Sequence, residues 1–303
     1  MHHLETSDWL RTPQDDPRGY IQPHGLRELW FHTGTNCNLR CPFCLEGSKP
    51  GDTRIGFIRY DDYQPLAEEA LGMGVQKFSF TGGEPFVNPD MVRILDHALD
   101  HRDCLVLTNA TEPLMNRIGD VLPLADKPHT LNLRVSLDYS DPDKHDAGRG
   151  KGNFRKALRT LGRLHKQGFK VSIARLRGER ENIKAVDAEY ASHFAAAGLP
   201  DDITIVSFPD FQLPGTIADV PHITETCMTK YLTADQREAF MCSDSKMVVK
   251  KGDHVGVYAC TLVDDDADYD LGSTLSEAQP VRVMMKHHRC YACFAYGASC
   301  SEG

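Results

Sequence analysis

The sequence predicts an α/β protein built on a parallel sheet, and three observations predict it. Short β-prone runs alternate with helical periodicity through the first two-thirds of the chain, and each run ends in a polar or glycine-containing turn. One run, Leu131 to Asp138, alternates apolar and polar residues with a period of two. Six strands and five intervening helices suit either an open doubly wound sheet or a partial barrel.

Residues 1–26 carry Pro13, Pro17 and Pro23 among Asp and Gly and form an irregular N-terminal extension. Leu29 to Gly34 is the first strand and runs into Thr35-Asn36 and a cysteine-bearing loop. Tyr60, Tyr63, Leu66, Ala67, Ala70 and Leu71 then recur at helical spacing up to Gly72 and Gly74. Val75 to Thr81 is the second strand, ending in the turn Thr81-Gly82-Gly83-Glu84-Pro85, and Asn88 to Leu99 is the helix behind it. Leu105 to Asn109 is the third strand, followed by a helix between Pro113 and Leu122.

In the fourth strand Leu131, Leu133, Val135 and Leu137 alternate with Asn132, Arg134, Ser136 and Asp138. Phe154, Ala157, Leu158, Leu161 and Leu164 share one face of the next helix. Phe169 to Ile173, a helix from Asn182 to Ala197, and Ile203 to Phe208 complete a β/α unit over residues 27–208. Residues 209–235, with Pro209, Pro214, Gly215 and Pro221, lose that rhythm and read as a linker. Residues 236–303 hold a β-hairpin, Met247 to Lys251 and His254 to Ala259, turning at Lys251-Gly252-Asp253. An acidic loop from Asp264 to Asp270 and a helix near Leu275 to Met285 follow.

At 303 residues and 41% hydrophobic, the chain buries a substantial core. A net charge of −9 gives no electrostatic reason to bind nucleic acid or an anionic membrane, so neither is an expected partner. The N-terminus has no basic region ahead of an apolar one, and no run approaches the roughly 20 apolar residues of a membrane helix. The expected location is the cytoplasm. There, ten cysteines favour metal or redox chemistry over a disulfide framework.

The cysteines fall into two groups. Cys37, Cys41 and Cys44 lie in one loop, while Cys242, Cys260, Cys290, Cys293 and Cys300 lie near the C-terminus; Cys104 and Cys227 stand apart. Three thiolates in a short loop wrap one side of a small inorganic cluster and leave one vertex without a protein ligand. The alternatives are half of a structural zinc site or simply buried thiols; a zinc site wants two ligand pairs, which this loop does not offer. In parallel β/α folds the loops after the strands carry function. The cysteine loop, the Gly82-Gly83-Glu84-Pro85 turn and Asn109 all follow strands on that side.

Cys37-Asn38-Leu39-Arg40-Cys41-Pro42-Phe43-Cys44 resembles the CxxxCxxC signature of the radical S-adenosylmethionine (radical SAM) enzymes. The resemblance implies a partial (β/α)6 TIM barrel in which the three cysteines hold a [4Fe–4S] cluster and its open iron binds the amino and carboxylate groups of SAM. On that likeness Asn132, Arg134, Ser136 and Asp138 line the site. Phe43 matches the aromatic position near the adenine. Gly82, Gly83, Glu84 and Pro85 match the family's GGEP motif, where glycine backbone and a carboxylate approach the cationic amino group. Asn109 stands where the family often has Thr-Asn-Gly, with Ala110 as a departure. Ser136 and Asp138 match positions near the ribose or methionine part, and Arg149 resembles one that holds the SAM carboxylate. The bland reading of Arg149 is a solvated basic turn. Arg175 and Arg177 follow the fifth strand and fit either the site or the surface.

The C-terminal group resembles the twitch auxiliary-cluster domain, a shortened SPASM domain. Cys242, Cys260, Cys290 and Cys293 would then close a second [4Fe–4S] cluster, with Cys300 a possible substitute; a four-cysteine zinc ribbon is the alternative. His287 and His288 beside Cys290 read as solvated. Cys104 reads as a buried small apolar residue, and Cys227 has nothing nearby to recruit it.

The implied activity is reductive cleavage of SAM to a 5′-deoxyadenosyl radical that abstracts a substrate hydrogen. An external flavodoxin- or ferredoxin-like one-electron reductant would drive it. The expected outcome is net oxidation of a small molecule, with the auxiliary cluster as electron acceptor. A maturase acting on a ribosomally made peptide is the alternative within enzymes, disfavoured by an extension too short for a leader-binding domain. An alternative of another class is a non-catalytic Fe–S or zinc-binding protein.

Overall fold

All six predicted strands form, and they pair in parallel in the order in which the chain makes them. The computed structural model describes residues 6–297, apart from 179, 180, 210 and 212. The chain opens with α1 (Ser7–Leu10) and β1 (Tyr20–Ile21), and then builds β2 (Glu28–His32) and α2 (Tyr60–Gly72). Next come β3 (Lys77–Thr81), α3 (Met91–Ala98), β4 (Asp103–Thr108) and the short helices α4 (Glu112–Asn116) and α5 (Ile118–Val121). They are followed by β5 (Leu131–Ser136), α6 (Pro142–Arg149), α7 (Asn153–Lys166), β6 (Lys170–Leu176), α8 (Ile183–Ala196) and β7 (Thr204–Phe208). The remainder is α9 (Glu225–Tyr231), α10 (Ala234–Glu238), β8 (Ser245–Lys251), β9 (His254–Tyr258), α11 (Leu275–Ala278), β10 (Val283–Met284) and α12 (His288–Tyr296).

The main sheet has eight strands in the order β7-β6-β5-β4-β3-β2-β8-β9. It is an open, partial (β/α) barrel. The predicted C-terminal hairpin extends it: β8 pairs in parallel with β2, with Leu29 opposite Lys246, and β9 folds back antiparallel on β8. Aromatic side chains fill the layer between sheet and helices. Phe31 stacks on Phe80 with ring centroids 5.6 Å apart, and Tyr63 of α2 closes on Phe31 at 4.9 Å. Fully burying such a side chain is worth about 1.5–3 kcal/mol, so this cluster fixes α2 against β2 and β3.

The N-terminal extension packs on the C-terminal region. Arg18 is buried and donates to the carbonyls of Trp9, Asp8 and Arg11. β1 pairs antiparallel with β10, and the Trp9 ring meets Tyr269 edge-on at 5.0 Å. The helix expected over Leu275 to Met285 stops at Ala278. Pro280 cannot continue it, and the chain then extends into β10. The segment expected as an irregular linker carries α9, whose Met228 lies beneath Gly19.

Candidate functional site

The C-terminal ends of the barrel strands open on one cavity, lined among others by Cys37, Cys41, Phe43 and Cys44, by Gly82 and Gly83, and by Asn109, Ser136, Asp138, Arg149 and Arg175. Each group arrives from a different strand end, the arrangement expected of a parallel β/α fold. All three loop cysteines are free thiols. Burial pushes Cys37 up to about 12 and raises Cys41 and Cys44 as well. Buried thiols of this kind become thiolates when a soft cation or cluster takes the proton's place.

The glycine pair fits against the strand end that feeds the cysteine loop. Gly83 N–H donates to Gly34 O at 2.9 Å, and Glu84 N–H donates to Asn36 O at 3.2 Å. A Cβ on Gly83 would sit 2.4 Å from Asn36 O, and Gly82 has φ +142° with Gly34 O 2.7 Å from where its Cβ would be. Only glycine permits that approach.

Glu84 and Pro85 do not line the cavity. The Glu84 carboxylate is buried and accepts from Asn109 N–H at 2.8 Å, Thr108 Oγ1 at 2.8 Å and Phe86 N–H at 3.2 Å. Burial pushes it up to about 7 against the pull of those three donors. It therefore ties β3 to β4 from behind the cavity, and Pro85 starts the turn that follows.

Asn109 steadies the cysteine loop. Its Nδ2 donates to Asn38 Oδ1 at 2.9 Å and lies 3.9 Å from Cys37 Sγ, while its Oδ1 accepts from Thr111 N–H and Oγ1. Ala110 adopts φ +54°, a left-handed conformation that glycine takes more readily.

Asp138 and Arg149 meet each other. Arg149 Nε and Nη2 both donate to the Asp138 carboxylate, the latter at 3.0 Å, with His145 Nδ1 3.7 Å from Asp138 Oδ2. The guanidinium also stands 5.9 Å from the Phe43 ring centroid. Phe43 is boxed by Tyr139, edge-on at 6.1 Å, and by Gly148, whose Cβ would collide with the ring at 2.2 Å. Arg149 is thus the last residue of α6, not a solvated turn.

Of the other polar residues of β5, Asn132 and Arg134 lie below the cavity and share Ser172 Oγ. A strand rises about 3.3 Å per residue, so only its last positions reach the mouth. Arg175 does reach it, fully buried and paired with Glu181 Oε1 at 2.5 Å, while Arg177 is exposed.

A second polar group has no signature in the sequence. His32, at the end of β2, has Nε2 3.1 Å from Glu46 Oε2 and accepts Gly34 N–H on Nδ1 at 3.1 Å, so Nε2 carries the ring proton. Asp264 completes a buried trio, and burial beside Glu46 pushes its carboxyl up to about 7. Three residues this far apart in the chain carry no shared motif.

Cys242, Cys260, Cys290 and Cys293 converge on a separate small pocket with Phe240, Leu262, Val263 and Met285. Cys242 sits in a turn ahead of β8, Cys260 follows β9, and Cys290 and Cys293 occupy one face of α12. Burial pushes Cys242 up to about 12 and Cys290 to about 11. The Leu262 N–H points at Cys260 Sγ at 3.4 Å, and Tyr269 Oη lies 3.7 Å from Cys290 Sγ. His287 pairs with Asp265 at 3.1 Å, and neither His287 nor His288 lines the pocket. Cys104 and Cys227 line neither cysteine site, and Cys300 lies outside the described residues. No described helix is long and apolar enough to cross a membrane.

Comparison with known proteins agrees with this geometry. Mycofactocin maturase MftC of Mycolicibacterium smegmatis is 29% identical over 168 residues, 55% of this chain and 41% of that protein. The subtilosin biosynthesis protein AlbA of Bacillus subtilis is 32% identical over 146 residues, 48% of this chain and 32% of that one. A GTP 3′,8-cyclase of Microcystis aeruginosa is 28% identical over 178 residues, 52% of this chain and 51% of that enzyme. The matches thus span from about a third to about half of the relatives' own lengths.

Among solved structures, Streptococcus suis SuiB bound to S-adenosylmethionine superposes with a TM-score of 0.59 at 13% identity, covering 80% of this chain and 62% of SuiB. AnSMEcpe with bound AdoMet gives 0.57 at 14%, covering 89% of this chain and 82% of that one. These likenesses show a shared fold. Residues 31–188, more than half of the chain, match the Radical SAM superfamily profile, and they include the three-cysteine loop at the mouth of the partial barrel: the chain belongs to the radical SAM superfamily.

Proposed function

We propose that this radical SAM enzyme performs a net oxidation with two [4Fe–4S] centres, an open one at Cys37, Cys41 and Cys44 and a closed one at Cys242, Cys260, Cys290 and Cys293. The supporting observation is the thiol count: three cysteines line the barrel-mouth cavity and four close the second pocket. When bound by the first three, a cluster supplies the electron that cleaves SAM to methionine and a hydrogen-abstracting 5′-deoxyadenosyl radical. A four-thiolate centre leaves no position for substrate and supplies a one-electron acceptor. An external flavodoxin- or ferredoxin-like carrier fits as the reductant.

The chain's own residues then divide the binding of SAM. Phe43 offers a braced ring to the adenine. Gly82 and Gly83 bring backbone close to the amino group, with Glu84 and Pro85 shaping the turn from behind. Ser136 and Asp138 face the ribose or methionine portion. Arg149 engages Asp138 through Nε and Nη2, which leaves Nη1 for the SAM carboxylate. Asn109 holds the cysteine loop in place, and Arg175 gives the cavity a buried cation for substrate.

A peptide is the favoured substrate class, supported by the names of MftC as a maturase and AlbA as a bacteriocin biosynthesis protein. SuiB, similar in fold, has been solved bound to its precursor peptide SuiA. A small molecule is the second reading, favoured by the GTP 3′,8-cyclase relative.

Anaerobic reconstitution with iron and sulfide, followed by reduction with SAM present, tests the proposal. The expected product is 5′-deoxyadenosine, and its absence would sink the proposal. Cys44→Ala should abolish cleavage. Cys293→Ala should keep cleavage and lose oxidised product; product retained in that variant overturns the acceptor role.

A further inference from the structure

Helix α7 holds the densest run of positive charge in the chain. Residues 151–170 contain seven Lys and Arg and no Asp or Glu, in a protein whose net charge is −9. Arg155, Arg159 and Arg163 follow one another at intervals of four and are all exposed, so they form one stripe along the helix over about 12 Å. Core packing does not call for them, because α7 buries Phe154, Ala157, Leu161 and Leu164 instead. The helix dipole accounts for the cations of the last turn only. Arg155 and Lys156 stand in the first turn, which has no acidic residue and where the dipole favours an anion. Like charges four residues apart weaken the helix further.

The stripe borders a surface groove between α7 and α4, walled by Lys156, Arg159 and Arg163 on one side and by Thr111, Glu112 and Asn116 on the other. Glu112 is the only acidic lining residue, and it is paired with Lys156. The groove leads to the cysteine loop. Thr111 Oγ1 accepts from Asn38 Nδ2 at 2.9 Å and donates to Asn109 Oδ1 at 2.6 Å, and Asn109 Nδ2 lies 3.9 Å from Cys37 Sγ. No residue lining the groove also lines the barrel-mouth cavity, so the groove approaches the three-cysteine site from another side. An external electron donor needs such an approach, since SAM and substrate take up the cavity. An acidic donor is repelled by a chain of net charge −9 and docks only where the local charge is reversed.

Resting on the reading of Cys37, Cys41 and Cys44 as a reducible cluster site, we propose that the exposed arginine stripe of α7 and its groove are the docking surface for an acidic one-electron carrier of the flavodoxin or ferredoxin class. One electron passes from the carrier to the cluster, and no atom or group moves with it. An acidic peptide substrate fits this face less well, because the bond it offers for reaction must lie in the cavity.

The test uses full-length, anaerobically reconstituted protein and compares reductants. Dithionite is small and needs no docking surface; an acidic flavodoxin and an acidic ferredoxin, each kept reduced by its own reductase, do. Arg155→Glu combined with Arg159→Glu and Arg163→Glu should lower carrier-driven formation of 5′-deoxyadenosine at least tenfold and leave the dithionite-driven rate near the parent value. Arg155→Lys with Arg159→Lys and Arg163→Lys keeps the charge and should keep carrier-driven turnover. Added salt should slow the carrier-driven parent and hardly affect the charge-reversed variant. Carrier-driven cleavage untouched by charge reversal overturns the proposal, as does an equal loss with dithionite or a parent that takes electrons from neither carrier. Phosphatidylglycerol vesicles or a DNA duplex that bind the parent and not the reversed variant, with carrier-driven cleavage unchanged, give the face to another anion and overturn it too. If the parent cleaves no SAM even with dithionite, the proposed chemistry fails instead, and calorimetric binding of the oxidised carriers decides the docking surface. Affinity about tenfold weaker in the reversed variant supports it, and equal affinity overturns it.

Discussion

Arg149 Nη2 lies 3.0 Å from Asp138 Oδ1, with Nε on the other carboxylate oxygen, so the end of α6 is clamped to the end of the fourth barrel strand across the cavity mouth. The pair has little contact with solvent, with side-chain exposures of 15% and 7%. Removing one partner of such a pair leaves an uncompensated buried charge.

Arg149→Met should therefore destabilise the protein by about 3 kcal/mol and weaken SAM binding at least tenfold. Asp138→Asn combined with Arg149→Met should cost less than the sum of the single changes. Urea midpoints for stability and SAM equilibrium binding in reconstituted protein measure both effects. Strict additivity would show that the clamp carries no coupling energy.

Gly83→Ala forces a Cβ to within 2.4 Å of Asn36 O, and neither side of that contact is a flexible side chain. The expected cost is about 1–3 kcal/mol or more, with loss of SAM cleavage. Gly72→Ala, at a position with open space around it, is the control and should be neutral or stabilising.

Ala110 is buried yet holds φ +54°. Ala110→Gly relieves that strain while losing a buried methyl, so the net change should stay within about 1 kcal/mol. Ala67→Gly, in the middle of α2 and equally buried, has no strain to relieve. It should cost clearly more, and thermal or urea unfolding of the two variants side by side decides the matter.

Asp264 supplies a pH signature. Its folded value of about 7 stands above its ordinary 3.8, so the folded state holds that proton more tightly than the unfolded chain does. The resulting stability is fully present below about pH 4 and is lost as pH rises through about 7. Asp264→Asn stays neutral at every pH. Relative to the parent it should gain stability, on the order of 1–2 kcal/mol, at pH 8 and little at pH 4. Urea midpoints at both pH values give the comparison; an equal effect at the two would refute it.

The barrel strands were legible because a buried sheet leaves a period-two pattern, clearest at Leu131 to Asp138. The cysteine loop was legible because its spacing is local. Helix α6 was not, since its sequence from Pro142 to Arg149 has no apolar face. Its signal was the cap, Asp141 accepting from Asp143 and Lys144 with proline at the first position. α12 carried a similar quiet signature, with His287 capping its start and Gly297 at φ +64° ending it. Glu84 looked like a cavity residue because it follows the glycines, but its three internal donors turn it away. The trio of His32, Glu46 and Asp264 depends on tertiary packing alone.

The parallel pairing of β8 with β2 bears on how this protein can be dissected. Every residue of β2, from Glu28 to His32, is buried, and the hairpin covers the side of it that β3 leaves open. Cutting the chain ahead of β8 would leave Leu29, Trp30 and Phe31 on an unpaired sheet margin, ready to recruit a strand from another molecule. The C-terminal region therefore acts as the selvedge of the barrel, and a truncated barrel is expected to self-associate before its chemistry can be assayed.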